Sequence, residues 1–281
     1  MRDSNYRQYS ADWLQHNRPQ PMYDATINEL YTNVFNDKQL VHNNNLIDEF
    51  KTEFTKFING HTLSNYTGLS SFPVSDICFG CTQFIDDIYQ RVGSNNVMIF
   101  ENDYKYHWRL NNNIKYTTID TLDCNKELII AMPFPAYGDV HPQMSNILDK
   151  CAELQIPVHL DGAWISCSKN IAFNFDHPAI SSVAISLSKG GLGADRIGVR
   201  YSRIQSTGAI SLMNEFNMTS KSLLHLGIRY MQDVGPEYFW KKYENKYVKV
   251  CHDFNLTPTN AVHIAKTKDG GVVGVRPLLR C

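Results

Sequence analysis

Lys189 stands at the carboxyl end of an apolar run, VAISLS, and opens a glycine-rich turn, KGGLGA; Arg196 follows seven residues later. Burial at the end of a strand disfavours a lysine's charged form, and an amine so placed can serve as nucleophile or as base. Asp161 closes a second apolar run, IPVHLD, and the turn Gly80-Cys81-Thr82 follows a third, DICF. In an open parallel sheet, ligands gather at the carboxyl ends of the strands, so an amine, a carboxylate and an anion-binding turn would meet along one rim. The helix that starts at TQFIDDIYQ offers unpaired N–H groups and a favourable dipole to a phosphate dianion. Gly80 lets backbone approach closely, and Ser186 and Arg196 are placed to complete that cradle, the arginine through a bidentate charge.

These side chains need elements to hold them. NLIDEFKTEFTKFI carries apolar residues at 46, 47, 50, 54, 57 and 58, which predicts an amphipathic helix. From residue 77, short apolar runs (DICFG, NVMIF, ELIIAMPFP, IPVHLDGAW, SSVAISLSKG) alternate with helical stretches such as TQFIDDIYQRV and HPQMSNILDKCAELQ. That alternation predicts an α/β fold, a mostly parallel central sheet flanked by helices. After about residue 210 come two further helical stretches and a tail, NAVHIAKTKDGGVVGVRPLLR, that predicts strands joined at KDGG. The expected organisation is an N-terminal segment, 1–50, packed with a small, trimmed α+β C-terminal domain, 211–281, and a large domain, 51–210.

The 281 residues carry 27 basic and 28 acidic side chains, mixed along the chain, for a net charge of −1. No basic tract advertises nucleic acid, so small-molecule chemistry is expected. The N-terminus MRDSNYRQYSADW lacks a signal-peptide core, and no stretch nears the roughly 18 apolar residues of a membrane helix; a soluble, cytoplasmic protein is expected. Seven scattered cysteines suit reduced thiols. The CFGC motif has neither a second CxxC nor a ligand-spaced histidine pair, so no metal is expected.

The pair VHLDGAW and SLSKGGLGADRIG, with Asp161 and Lys189 separated by 28 residues, resembles the pyridoxal-phosphate enzymes of the aspartate-aminotransferase superfamily, fold type I, and the likeness spans roughly residues 40 to 281. The resemblance implies a Schiff base at Lys189, a pyridine-nitrogen partner in Asp161, and phosphate contacts from Gly80, Cys81, Thr82, Ser186 and Arg196. It adds Ser188 and Trp164 to the cofactor-binding residues. It also implies a ring-stacking residue in ENDYKYHW, Tyr104 ahead of His107, and a grip on the substrate carboxylate by Arg276, with Arg280 in reserve. Two departures stand out: MPFPAYG where many aminotransferases have an Asn-Pro pair, and Trp164 where they have a tyrosine.

The activity so implied is an aminotransferase acting on a small amino acid with a keto acid as acceptor. VHLDGA, SLSKG and LGA are also similar to threonine aldolases and β-eliminating enzymes, which keeps a pyridoxal-phosphate lyase as the alternative. A non-catalytic binding protein on the same scaffold is a third reading, against which both the lysine and the aspartate are present. The family further implies a homodimer, with His42 as the candidate contact in trans.

Overall fold

The structure, a computed structural model, describes residues 24–36 and 45–279. His42 and Arg280 lie outside the described residues. A seven-stranded sheet forms the centre: β2 (Val74–Cys78), β3 (Val97–Phe100), β4 (Tyr116–Thr117), β5 (Glu127–Ala131), β6 (Val158–Gly162), β8 (Ile180–Ser186) and β9 (Gly198–Ser202), in the order β2-β9-β8-β6-β5-β3-β4. All run one way except β9, which is antiparallel to both neighbours. The chain from β8 to β9 is a short loop, Leu187–Ile197, too compact for the crossover helix that parallel pairing usually needs. The carboxyl end of β8 and the start of β9 therefore face each other across that loop, which holds both Lys189 and Arg196. Two short strands, β1 (Asn65–Thr67) and β7 (Ala172–Asn174), pair in parallel beside the sheet.

β6 and most of β5 and β8 are buried on both faces, which is why they read as continuous apolar runs rather than alternating ones. The helices that cover them are α1 (Ala25–Phe35), α2 (Leu46–Asn59), α3 (Gly80–Val92), the short α4 (His107–Leu110), α5 (Met144–Glu153), α6 (Ala209–Glu215) and α7 (Lys221–Asp233). The apolar face of α2 buries Phe50, Phe54, Phe57 and Ile58, and α7 lies against it. Gly227 makes that contact possible, since a Cβ there would stand 2.4 Å from the Phe50 ring.

Leu224, Leu226, Ile228 and Tyr230 of α7 thus join the core of the sheet. A second core forms around α8 (Tyr238–Asp253), the antiparallel strands β10 (Thr257–Pro258), β11 (Ile264–Lys266) and β12 (Val272–Gly274), and the terminal turn α9 (Arg276–Leu279). The stripe of α7 is matched by α2 and not by the C-terminal strands, so Lys221–Asp233 packs with the core of the sheet.

The edge of the sheet nearest α3 is locked by a buried charge network. The Arg200 guanidinium on β9 donates to Asp76 on β2, to Asp87 on α3 at 3.2 Å and to Ser211 on α6 at 2.7 Å, and the Ile210 N–H donates to Asp87 at 3.1 Å. Among the described residues no helix is long and apolar enough to cross a membrane.

Candidate active site

Lys189 sits in a tight turn, Ser188–Leu192, that leaves β8 with Gly191 at φ 142°, a conformation open to glycine. Two tyrosines from the helices brace this turn. The Tyr230 hydroxyl donates to the Gly190 carbonyl, and the Tyr31 hydroxyl reaches the Leu192 carbonyl at 2.9 Å and Asp195 Oδ2 at 2.7 Å. Burial, followed by the positive charges of Arg276 and Arg196, pushes the Lys189 amine down to about 8, against the opposing pull of Asp161. Its Nζ lies 5.2 Å from the centre of the half-buried Trp164 ring. The lysine is thus held where a fraction of it is uncharged near neutral pH.

The GCT turn and the lysine loop close on a common space. Gly80 has φ +77°, and a Cβ there would stand 3.1 Å from Ser186 Oγ and 3.2 Å from Arg196 Nη2. The Arg196 guanidinium donates to the Thr82 hydroxyl at 2.5 Å and to the Phe79 carbonyl at 3.3 Å, while Ser186 Oγ donates to Ser188 Oγ at 2.9 Å. An exposed guanidinium, three hydroxyls and the amino end of α3 make one anion-binding corner. Of the GCT turn, the Cys81 side chain points elsewhere: buried beneath the turn, its thiol donates to the Ala184 carbonyl at 3.3 Å.

Asp161, at the end of β6, is buried and accepts the Ala163 N–H at 3.0 Å. Burial raises its pKa; the Cys81 thiol, the Ala163 N–H and the charges of Lys189 and Arg196 act against that rise. A cationic N–H donor would add to those that favour the carboxylate. Tyr104 follows β3, partly exposed, with its phenol against Thr82 and within electrostatic reach of Asp161, Arg196 and Cys81. His107 turns inward instead: buried, it bonds the Tyr89 hydroxyl through Nδ1 at 3.0 Å. That geometry separates the two aromatic candidates of ENDYKYHW, and only Tyr104 reaches the site.

Arg276 comes from the second core, buried at the start of α9, close enough to Lys189 to depress its pKa. Beside it, the His263 ring packs edge-on to Trp164 at 5.9 Å and to Phe239 at 5.7 Å, and burial with the charges of Arg276 and Lys189 holds it neutral. His263 and Asp103, which lies behind Tyr104, were not singled out from sequence; no motif marks either. A separate cavity of about 440 Å³ opens between the 137–142 loop and the second core, lined by Tyr137, Asp139, Lys169, Asn260 and Lys266 among others. None of the residues described above is in its wall.

The donor set fits a phosphorylated pyridine aldehyde: an anion corner that a side chain at residue 80 would fill, a buried carboxylate, and an amine of lowered pKa between them. No protein-family model and no curated protein sequence matches the chain. Solved structures match its fold. A PLP-bound C–S lyase from Staphylococcus hominis superposes with a TM-score of 0.65 at 13% identity, covering 94% of this chain and 77% of that one. Tyrosine aminotransferase from Leishmania infantum gives 0.60 at 13% identity, covering 94% and 86%. Alanine aminotransferase from Pyrococcus furiosus gives 0.59 at 13%, covering 88% and 72%. The chain shares the fold of these aminotransferases and of the C–S lyase.

Proposed function

We propose that the protein is a pyridoxal-phosphate-dependent enzyme that transfers the amino group of a small amino acid to a keto acid, working as a homodimer. The observation that carries this reading is the meeting of Lys189, Asp161 and the Gly80–Ser186–Arg196 corner on one rim of a fold type I sheet. Gly80, Thr82, Ser186, Ser188 and Arg196 would hold the phosphate. Asp161 would hold a proton at the pyridine nitrogen, and Tyr104 would cover the ring face. When bound, the cofactor supplies an aldehyde that takes amines covalently and a ring that draws electrons from the substrate's α-carbon.

The chain's own groups do the rest. Lys189, with its amine lowered to about 8, is matched to taking and returning the α-proton near neutral pH. Trp164 keeps water from the amine on one side. Arg276 supplies a positive charge to a substrate carboxylate, and with it an orientation for the amino acid.

The test is borohydride treatment of protein loaded with pyridoxal phosphate, followed by peptide mass analysis, and then addition of a panel of amino acids. A reduced adduct on Lys189 and a shift of the absorbance to the pyridoxamine form are expected. An adduct on another lysine would reject the site. Release of ammonia with unchanged cofactor spectrum would assign the protein to the lyases instead.

A further inference from the structure

Asp103 lies directly before Tyr104, and its carboxylate is 6% exposed. Among the described residues no cation pairs with it. Its Oδ1 accepts the Tyr104 N–H at 2.6 Å and its Oδ2 accepts the Ala131 N–H at 3.0 Å. Ala131 ends β5 and sits opposite Asp161 in the sheet register, and the next residue, Met132, donates its N–H to the Asp161 carbonyl at 2.9 Å. A continuous set of hydrogen bonds thus runs from the backbone of Tyr104, through one carboxylate, to the strand end that adjoins Asp161.

A carboxylate buried without a cation is costly, and a polar residue of lower cost could cap a single N–H. Two diverging N–H groups from different segments need two acceptor oxygens, which an ionised carboxylate has and an amide lacks. We infer that Asp103 is a positioning residue, whose ionised carboxylate fixes Tyr104 over the ring site in register with Asp161. The inference rests on the cofactor reading given above.

The surroundings make this strut sensitive to protons. Burial is the main force raising the Asp103 pKa, to about 7; the charge of Asp161 on β6 adds to the rise, and the two N–H donors oppose it. Tyr89 on α3 faces the same carboxylate with its phenol held protonated. Protonation removes the charge and turns one carboxyl oxygen into a donor and a poor acceptor, so the pair of N–H bonds weakens as pH falls through neutrality. Tyr104 then loses part of its anchor.

The experiment measures the dissociation constant of pyridoxal phosphate by quenching of tryptophan emission, for the wild type, Asp103→Asn, Tyr104→Ala and the double variant. Loss of a charge-assisted bond predicts about tenfold weaker binding for Asp103→Asn. The double variant is expected to bind no more weakly than the weaker single, because both changes remove one interaction. Wild-type affinity in Asp103→Asn, or effects that multiply in the double variant, would overturn the inference while leaving the cofactor reading intact. Should Asp103→Asn fail to fold, the wild type and Tyr104→Ala are compared between pH 6 and 8.5. The wild type is expected to lose affinity below pH 7 more steeply, and parallel profiles overturn the inference. A wild type that binds no pyridoxal phosphate at any pH defeats the cofactor reading and this one with it.

Discussion

The Nζ of Lys189 lies 5.2 Å from the centre of the Trp164 ring, so the face of an indole, not a carboxylate, is the neighbour of this amine. An aromatic face favours the ammonium by about 0.5–2 kcal/mol, opposing the burial that lowers its pKa. Trp164→Leu keeps the apolar cover and removes the ring. It is expected to move the Lys189 pKa further below about 8, by roughly 0.4–1.5. Acylation of the cofactor-free protein across pH, read from the mass of the Lys189 peptide, checks this; an unchanged or raised midpoint speaks against the contact.

The same lowered pKa has a stability consequence. A lysine whose folded pKa is near 8, against 10.5 for the free group, binds fewer protons folded than unfolded between those values. Its contribution therefore rises as pH climbs through that window and is lost as pH falls through about 8. Lys189→Met in the cofactor-free protein is expected to be more stable than wild type at pH 7 by about 1–3 kcal/mol. The gap should close by pH 10.5. Urea midpoints at both pH values measure it, and a gap independent of pH would remove the burial argument.

Arg276→Gln removes the cation from the second core and leaves the anion corner untouched. Loss of a charged hydrogen-bond partner is expected to weaken amino acid binding by about 10- to 100-fold, with pyridoxal phosphate affinity within about threefold of wild type. A substrate titration followed by absorbance gives both constants. Equal loss of both would show that Arg276 shapes the whole site rather than the substrate end.

Asp87→Ala breaks the buried network around Arg200, where Asp76 remains as a partner. The expected loss is about 3 kcal/mol, the lower end for opening a buried pair. Chemical denaturation checks it, and a change below about 0.5 kcal/mol would mean that Asp76 and Ser211 satisfy the guanidinium alone.

What the sequence revealed of this site followed from position along strands. Asp161 lies near the end of β6 and Lys189 in the turn that follows β8, and the burial of those strands on both faces leaves an unmistakable apolar run before each. Gly80 was legible for the same reason, at the junction of β2 and α3. Asp103 was not, because its partners are backbone N–H groups, one of them 28 positions away, and such donors have no sequence signature. The side chain of Cys81 was read with its turn, yet Cys81 falls on the same inward helical stripe as Phe84, Ile85 and Ile88, and its thiol goes to the Ala184 carbonyl. The extent of the second core was hidden in the same way: the stripe of α7 is equally consistent with either core, and only the presence of Gly227 opposite Phe50 shows which one accepts it.

Arg276 and His263 belong to the core built from α8 and the C-terminal strands, whereas Lys189, Asp161 and Arg196 are fixed by the sheet. The two parts meet at Cys167 and Trp164, which follow β6 and yet pack into the interior built around α8, and at Phe239, 3.1 Å from where a Cβ on Gly191 would stand. A change in the last forty or so residues is therefore felt at the lysine turn, and a C-terminal block exchanged among structural relatives would have to bring partners for Trp164 and Cys167 with it.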